Sequence, residues 1–427
     1  MRLNRFRTAE HTAPNTNITQ ASSLSPRTWR RNSLYALVAI GLLIFHCGDG
    51  KTQTIPESEE ASINRYWNDA ARYLAGMEPL PDSKLSALES KPEAQKHRAF
   101  FQEAWPRVDQ KMTVMRNWAR SEILDARASE RTIFYPFSGP DFLNLFTFFP
   151  EGPEYIMFGL EPPGEPPRIE DIPEADRASY LANIQLSMKS ITAFSFYRTL
   201  SMREDFNNDK LYGLAPAIMV YIARTGNRLV NVESVYVGKD GELHVGMAPS
   251  AQGKQLPADF KARLDVIEEI PGIRFQFMKA NDRTVYSLVY FSVNVADDRF
   301  VKRPWFAQYL ESKGPTVTYI KAASYLMHYP YFSKIREEVQ KVSAYIMQED
   351  SGMPLKSFDT NEWNLRFYGA YTRPIPLFRS FYQEDLRAVY TRGGENVRPL
   401  PFGLGYMYRE GTSNLMVAVK KTESAEN

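Results

Sequence analysis

A single cysteine, Cys47, sets the terms on which this chain can fold. Without a second thiol there is no disulfide, and once Cys47 is spent no thiolate remains for a metal site or a nucleophile. The body must hold itself together by burying apolar surface. It has the material, because roughly 370 residues follow position 60, 43% of the chain is apolar and 56 residues are aromatic.

Cys47 also closes an address. Twelve consecutive apolar or small residues, Leu34 to Phe45, stand behind Arg30-Arg31 and just before the cysteine. A spanning helix needs about 20 apolar residues, whereas a shorter run behind a basic flank has the length of a signal-peptide core. A cysteine at its end suits lipoprotein processing, in which the thiol carries the lipid. Phe45 and His46 depart from the small residues expected before such a cysteine, and 33 residues precede Leu34. An uncleaved N-terminal anchor and a plain secretory signal are the alternatives. The expectation is an exported lipoprotein, held at a membrane through Cys47 and facing the periplasm or the cell surface. Residues 1–47 form a disordered leader, 48–60 a linker and 61–427 one globular α/β domain, with two coupled lobes as the alternative.

The leader carries six arginines and one glutamate, so of 52 basic and 50 acidic side chains 46 and 49 remain after Cys47, a formal charge of −3. No basic stripe follows the leader, which excludes a nucleic-acid partner of the usual kind. Only His97, His244 and His328 remain beyond it, with no His-x-x-x-His pair, so no metal site is expected. Gly-x-Ser-x-Gly and P-loop signatures are absent as well, and no cofactor is assigned.

Helical and strand patterns interleave along the body. Ala61 to Met77 and Pro92 to Arg127 read as amphipathic helices, the second kinked at Pro106. Thr132 to Phe137, the turn Ser138-Gly139-Pro140-Asp141, the apolar Phe142 to Phe149 and Tyr155 to Leu160 read as strand, turn, short helix and strand. Glu174 to Leu200 and Lys210 to Arg224 read as helices. Strands follow near Val230 to Gly238, Glu242 to Met247, Ile273 to Lys279 and Thr284 to Val295, the last two joined at Asn281-Asp282. Trp305 to Ser312, Thr316 to Met327 and Ser333 to Gln348 read as helices, and the tail from Asn361 to Lys420 mixes short strands with turns. The fold class is α/β, a mixed sheet flanked by helices with an N-terminal helical layer.

Chemistry concentrates in a few places. In nucleotide-binding βαβ units a small-residue turn after the first strand lets backbone approach a ligand, and an acid about 20 positions on, at the end of the second strand, takes a ribose hydroxyl. Asp141 and Glu161 have that spacing, which makes Ser138, Gly139, Asp141 and Glu161 the candidate ligand-binding residues. One glycine replaces the usual three, and Pro140 lacks an N–H, so the likeness to a Rossmann-like or S-adenosylmethionine-dependent methyltransferase core is loose. Asp141, Glu161 and His328 are the weak catalytic candidates; His328 is also read as aromatic packing.

Gln348-Glu349-Asp350-Ser351-Gly352, with Asp359 and Glu362, offers carboxylates for a cation or an acid/base pair, and reads more simply as a solvated turn ending a helix. The run Phe367, Tyr368, Tyr371, Phe378, Phe381 and Tyr382, with Arg366, Arg373 and Arg379, is read either as a stacking platform or as core.

Tyr135 to Asp141, Phe158-Gly159-Leu160-Glu161, Asp350-Ser351-Gly352-Met353-Pro354 and Tyr368-Gly369-Ala370-Tyr371 resemble a family of uncharacterised bacterial exported proteins that share a Tyr-Pro-Phe-Ser-Gly-Pro-Asp block. The resemblance implies export and names no activity. The function expected is an exported, lipid-anchored envelope protein that binds a ligand or serves a structural role, with an enzyme or a degenerate nucleotide- or S-adenosylmethionine-binding Rossmann-like protein, using the Ser138 to Asp141 turn and Glu161, as the alternative.

Overall fold

The computed structural model of the protein describes residues 53–54, 65–194, 213–251, 264, 266–280, 282–392 and 396–421. The leader, Cys47 and most of the linker lie outside the described residues.

Five strands form a parallel centre: β2 (Ile133–Pro136), β3 (Glu154–Gly159), β7 (Thr284–Ser292), β8 (Thr316–Ile320) and β9 (Ser343–Gln348). Their spatial order is β9-β8-β2-β3-β7, so the chain starts in the middle, builds outward to one side and then returns to build the other. This is the doubly wound arrangement, whose order reverses between β2 and β8. Antiparallel pairing extends both flanks. Beyond β7 lie β6 (Ile270–Met278), β4 (Arg228–Val237) and β5 (Leu243–Val245); beyond β9 lie β12 (Asn414–Lys420), β10 (Trp363–Gly369) and β11 (Val397–Arg398). The outermost strand, β11, is the exception and pairs parallel with β10. The two-residue β1 (Gln53–Thr54) pairs with the start of β7.

Alternation along the central strands explains the two layers. Ile133 and Tyr135 of β2, Val317 and Tyr319 of β8 and Tyr345 and Met347 of β9 point into one core. Phe134, Ile320 and Ile346 point into the other. The first core is covered by α1 (Tyr66–Leu74), α2 (Pro92–Glu122), α3 (Phe142–Phe148), α4 (Glu174–Phe194) and α5 (Ala215–Arg224). The second is covered by α6 (Pro304–Ser312) and α7 (Ser333–Val342). A last helix, α8 (Glu384–Arg392), lies between β10 and β11 in the chain. None of the described helices is long and apolar enough to cross a membrane.

Two expectations fail at the centre of the sheet. Thr316 to Met327 is not a helix: Thr316–Ile320 is β8, and Leu326–His328 is only a 3-10 turn. Ser333 to Gln348 is a helix for its first ten residues and then β9. The reason is burial on both faces, which gives parallel strands a continuous apolar run in place of clean alternation. Thr316 and Thr318 pass as polar helix positions in the sequence, yet they are buried, with the Thr318 hydroxyl 2.7 Å from that of Ser343 on β9. Pro106 does not interrupt α2, which runs unbroken through it.

Trp118 shows how the long helix grips the sheet. Its ring meets Phe148 of α3, Tyr368 of β10 and Phe402 edge-on, with centroids 5.0 to 6.1 Å apart. Replacing it by alanine removes the common partner of all three rings and is expected to cost about 3–5 kcal/mol, read as a lowered urea midpoint with an unchanged slope.

Candidate functional site

Strands β2 and β8 pair only at Ile133/Val317 and Phe134/Thr318. The pairing of β2 with β3 continues to Pro136/Phe158. The sheet therefore parts at the carboxyl ends of β2 and β8, at the switch point, where open α/β sheets place their ligands. A cavity of about 90 Å³ lies there, and Ser138, Gly139, Asp141, Glu161, Lys321 and Ser324 line it, with Phe137, Leu160 and Leu326 as its apolar walls.

The turn after β2 is built from its own atoms. Ser138 donates its N–H to the Phe158 carbonyl at 3.0 Å, and its hydroxyl donates to the Gly139 carbonyl at 2.9 Å. Asp141 caps α3 by accepting from the Asn144 N–H at 3.3 Å and side-chain amide at 2.8 Å. The other carboxylate oxygen accepts from the Tyr135 hydroxyl at 3.1 Å and pairs with the Lys321 ammonium at 2.5 Å. Both charged side chains are 2 to 3% exposed. Lys111 of α2 stands beside this pair, and burial, followed by repulsion from Lys321, lowers its ammonium to about 8.

On the neighbouring strand, the Tyr290 hydroxyl of β7 donates to the Glu161 carbonyl at 3.2 Å and to its carboxylate at 3.4 Å. Burial and then the Glu161 charge raise Tyr290, so it stays a neutral donor. Gly159 leaves the room this needs. A Cβ there would stand 2.6 Å from the Glu161 carboxylate and 2.7 Å from the Tyr290 hydroxyl.

Backbone strain gathers here. Five described residues other than glycine have left-handed backbone, and four of them belong to this site: Phe137 after β2, and Ala322, Ser324 and Tyr325 after β8. Such conformations cost roughly 1–3 kcal/mol each and persist where surrounding structure fixes them, commonly at ligand sites.

What fixes the second loop is the segment Glu349-Asp350-Ser351 at the end of β9. Glu349 accepts from the Ala322 N–H at 2.8 Å, and the Ser351 hydroxyl accepts from the Ala323 N–H at 2.9 Å. The Tyr325 N–H donates to the Ser351 carbonyl at 3.1 Å, and its phenol donates to Asp350. Asn414 donates to the other Asp350 oxygen at 2.7 Å. Glu349 and Asp350 are 3% and 4% exposed, and burial raises both carboxyls, Glu349 further through the charge of Asp350. This corrects the reading of 348–352 as a solvated turn ending a helix. The segment ends a strand instead, and its carboxylates are spent on backbone and phenol donors. Among the described residues no cluster of three or more metal-type side chains forms.

The four ligand-binding candidates thus share one cleft. His328 does not line it. Its ring packs against Tyr325 and Phe381, with centroids 5.0 and 5.7 Å away. Burial lowers its imidazole to about 4, so the ring is neutral near pH 7 and belongs to aromatic packing. The aromatic run does not make one platform. Phe381 stacks on Tyr325 at 5.3 Å, Tyr371 stacks on Tyr382 at 4.8 Å, and Tyr368 is fully buried against Trp118. Lys321, Ser324, Tyr290 and Lys111 escaped sequence reading because three of them depend on strand pairings that local pattern does not reveal.

Comparison with protein-family models, with curated proteins and with solved structures gave no match.

The buried pair gives a direct test. Asp141→Ala or Lys321→Ala leaves a buried charge unpaired and is expected to destabilise by about 3–5 kcal/mol. The double variant Asp141→Leu with Lys321→Met removes both charges and is expected to recover part of that loss in urea unfolding; equal midpoints for all four proteins would show that the pair holds nothing.

Proposed function

We propose that this chain is an exported, lipid-anchored envelope protein that binds a small molecule in the cleft between β2, β3 and β8. The address comes from Leu34 to Phe45 and Cys47. The binding reading is carried by one observation: polar side chains from three strand ends meet at the switch point, inside a backbone strained on both sides.

The lining selects the ligand. Two carboxylates, Asp141 and Glu161, face one ammonium, Lys321. The turn has few donors for an anion, because Pro140 lacks an N–H and those of Ser138, Asp141 and Phe142 are taken. A pyrophosphate does not fit this turn. A ligand rich in hydroxyl groups or carrying a positive charge does fit, with Glu161 accepting from a diol. The enclosed volume of about 90 Å³ is below the roughly 300–1,000 Å³ of pockets for larger ligands, so a fragment of ribose size would enter and the rest would lie across the mouth.

A second reading is a degenerate nucleotide- or S-adenosylmethionine-binding enzyme. Strand order favours it, since β7-β3-β2-β8-β9 is extended by a reversed β12 and then by β10, which runs with the parallel set. That order resembles the S-adenosylmethionine-dependent methyltransferase core raised by the Asp141 and Glu161 spacing. Fold alone does not carry activity.

Titration calorimetry with adenosine, S-adenosylmethionine, NAD and a set of monosaccharides separates these ideas. Adenosine or a sugar is expected to bind, NAD is not, and Glu161→Gln is expected to weaken binding at least tenfold; silence across the panel at millimolar ligand would overturn the binding reading. For the address, mass spectrometry of protein made in a bacterial host is expected to find an N-terminus at an acylated Cys47.

A further inference from the structure

We infer that Glu349 and Asp350 form a proton-sharing latch that holds Ala322 to Tyr325 in their cleft-forming conformation, so that loss of the shared proton opens the cleft wall and weakens binding. The inference takes the cleft as the ligand site and adds a control to it.

The geometry is unusual for carboxylates. Two adjacent acids are buried at the end of β9, and among the described residues neither has an ion-pair partner. Two such charges side by side in a low-dielectric interior repel strongly, and the arrangement that avoids this keeps one proton between them. Four bonds that fix the left-handed loop pass through this segment: the Ala322 N–H to Glu349, the Ala323 and Tyr325 N–H groups to Ser351, and the Tyr325 phenol to Asp350; the Tyr406 hydroxyl adds bonds to the Ser324 hydroxyl and, at 3.2 Å, to the Ala322 carbonyl. The loop in turn supplies Lys321 and Ser324 to the cleft.

The groups facing the pair leave it uncompensated. From β2 and β8 come the phenols of Tyr135 and Tyr319, with Asp141 beyond them, whose charge is held by Lys321. The loop contributes Tyr325 and His328, the latter near the Asp350 backbone and lowered by burial. From the segment after β10 and from α8 come Tyr371, Tyr390 and Asp385, from the neighbouring strand Asn414, and from the approach to it Tyr406, whose hydroxyl accepts or donates with Ser324 at 2.7 Å. Two cations, Lys356 and Arg336, bear on His328, and among the described residues no ion pair joins a cation to Glu349 or Asp350. Burial raises both carboxyls, so the stabilising state is fully present below the ordinary carboxylate range and is lost as pH climbs through the raised value.

The test compares the full chain with Glu349→Gln, whose amide keeps the acceptor for Ala322 and a donor toward Asp350 but cannot ionise. Amide hydrogen exchange of the peptide spanning 320–326 is followed by mass spectrometry, without ligand, from about pH 6 to about pH 9. At each pH the two proteins share intrinsic exchange rates, so their ratio reports the loop alone. The wild-type loop is expected to lose protection relative to Glu349→Gln by up to about tenfold per pH unit in the upper part of that range. A constant ratio would overturn the latch. Asp350→Asn, which leaves Glu349 raised by burial but free of its neighbour's charge, is expected to move the response to lower pH, and an unmoved response would count against a shared proton; it serves if Glu349→Gln does not fold. Adenosine affinity is measured over the same range as a second arm. It is expected to fall with loop protection in wild type and to stay level in the variant. A loop that responds while adenosine binds at no pH would overturn the cleft reading and leave the latch standing.

Discussion

The cleft exists because β2 and β8 stop pairing after two residues, and the buried Asp141–Lys321 pair spans the gap they leave. Everything near the site leans on that contact. Asp141 fixes the start of α3 and receives the Tyr135 phenol, while Lys321 leads directly into the left-handed residues after β8. A buried ion pair of this sort adds modest net stability, because desolvation offsets much of its attraction. Its effect is on geometry. With both charges withdrawn from water, no other arrangement of the two loops satisfies them so well, and the turn after β2 is locked to the loop after β8.

How much of this was legible in the sequence follows from where information is local. The turn at Ser138 to Asp141, the short helix after it and the acid at position 161 are neighbours along the chain, and pattern and spacing found them. The fold class was legible for the same reason, since most helices show their own periodicity. Lys321 and Ser324 were not, because β8 is buried on both faces and its Thr-Val-Thr-Tyr-Ile run reads equally well as helix. Losing β9 to the same ambiguity turned Glu349 and Asp350 into a solvated turn, when a strand end beneath β8 and β12 buries them. His328 shows the opposite lesson: a chemically capable residue at a helix end was weighed against aromatic packing, and the rings of Tyr325 and Phe381 decide for packing.

The scaffold and its lining pull in different directions. A doubly wound sheet with an acid at the end of its second strand is the frame on which many nucleotides are held, yet in the turn after the first strand the N–H groups of Ser138, Asp141 and Phe142 are bonded to protein carbonyls and Pro140 has none. Phosphate recognition depends on such donors more than on the sheet. What this chain has at the corresponding place is Glu161 with the Tyr290 phenol behind it, the acid proposed here to accept from hydroxyl groups. The extracytoplasmic setting proposed above would agree with that selection, since sugars and nucleosides are met outside cells more readily than dinucleotides kept within.

Strain completes the argument for a site rather than a structural crevice. Four left-handed residues with side chains, at roughly 1–3 kcal/mol each, are a cost that the structure around the loops must offset. Glycine at Ala322 or Ser324 would relieve the backbone without disturbing the strands on either side. The chain instead keeps Cβ atoms there and offsets their cost with hydrogen bonds donated by the loop N–H groups to Glu349 and Ser351. Rigid walls are worth that cost only where a partner must meet them in one geometry, because ordering a loop on binding would otherwise subtract from affinity. The same network that stiffens the wall also contains two adjacent buried acids, so stiffness and the proposed sensitivity to protons would arise from a single arrangement of residues.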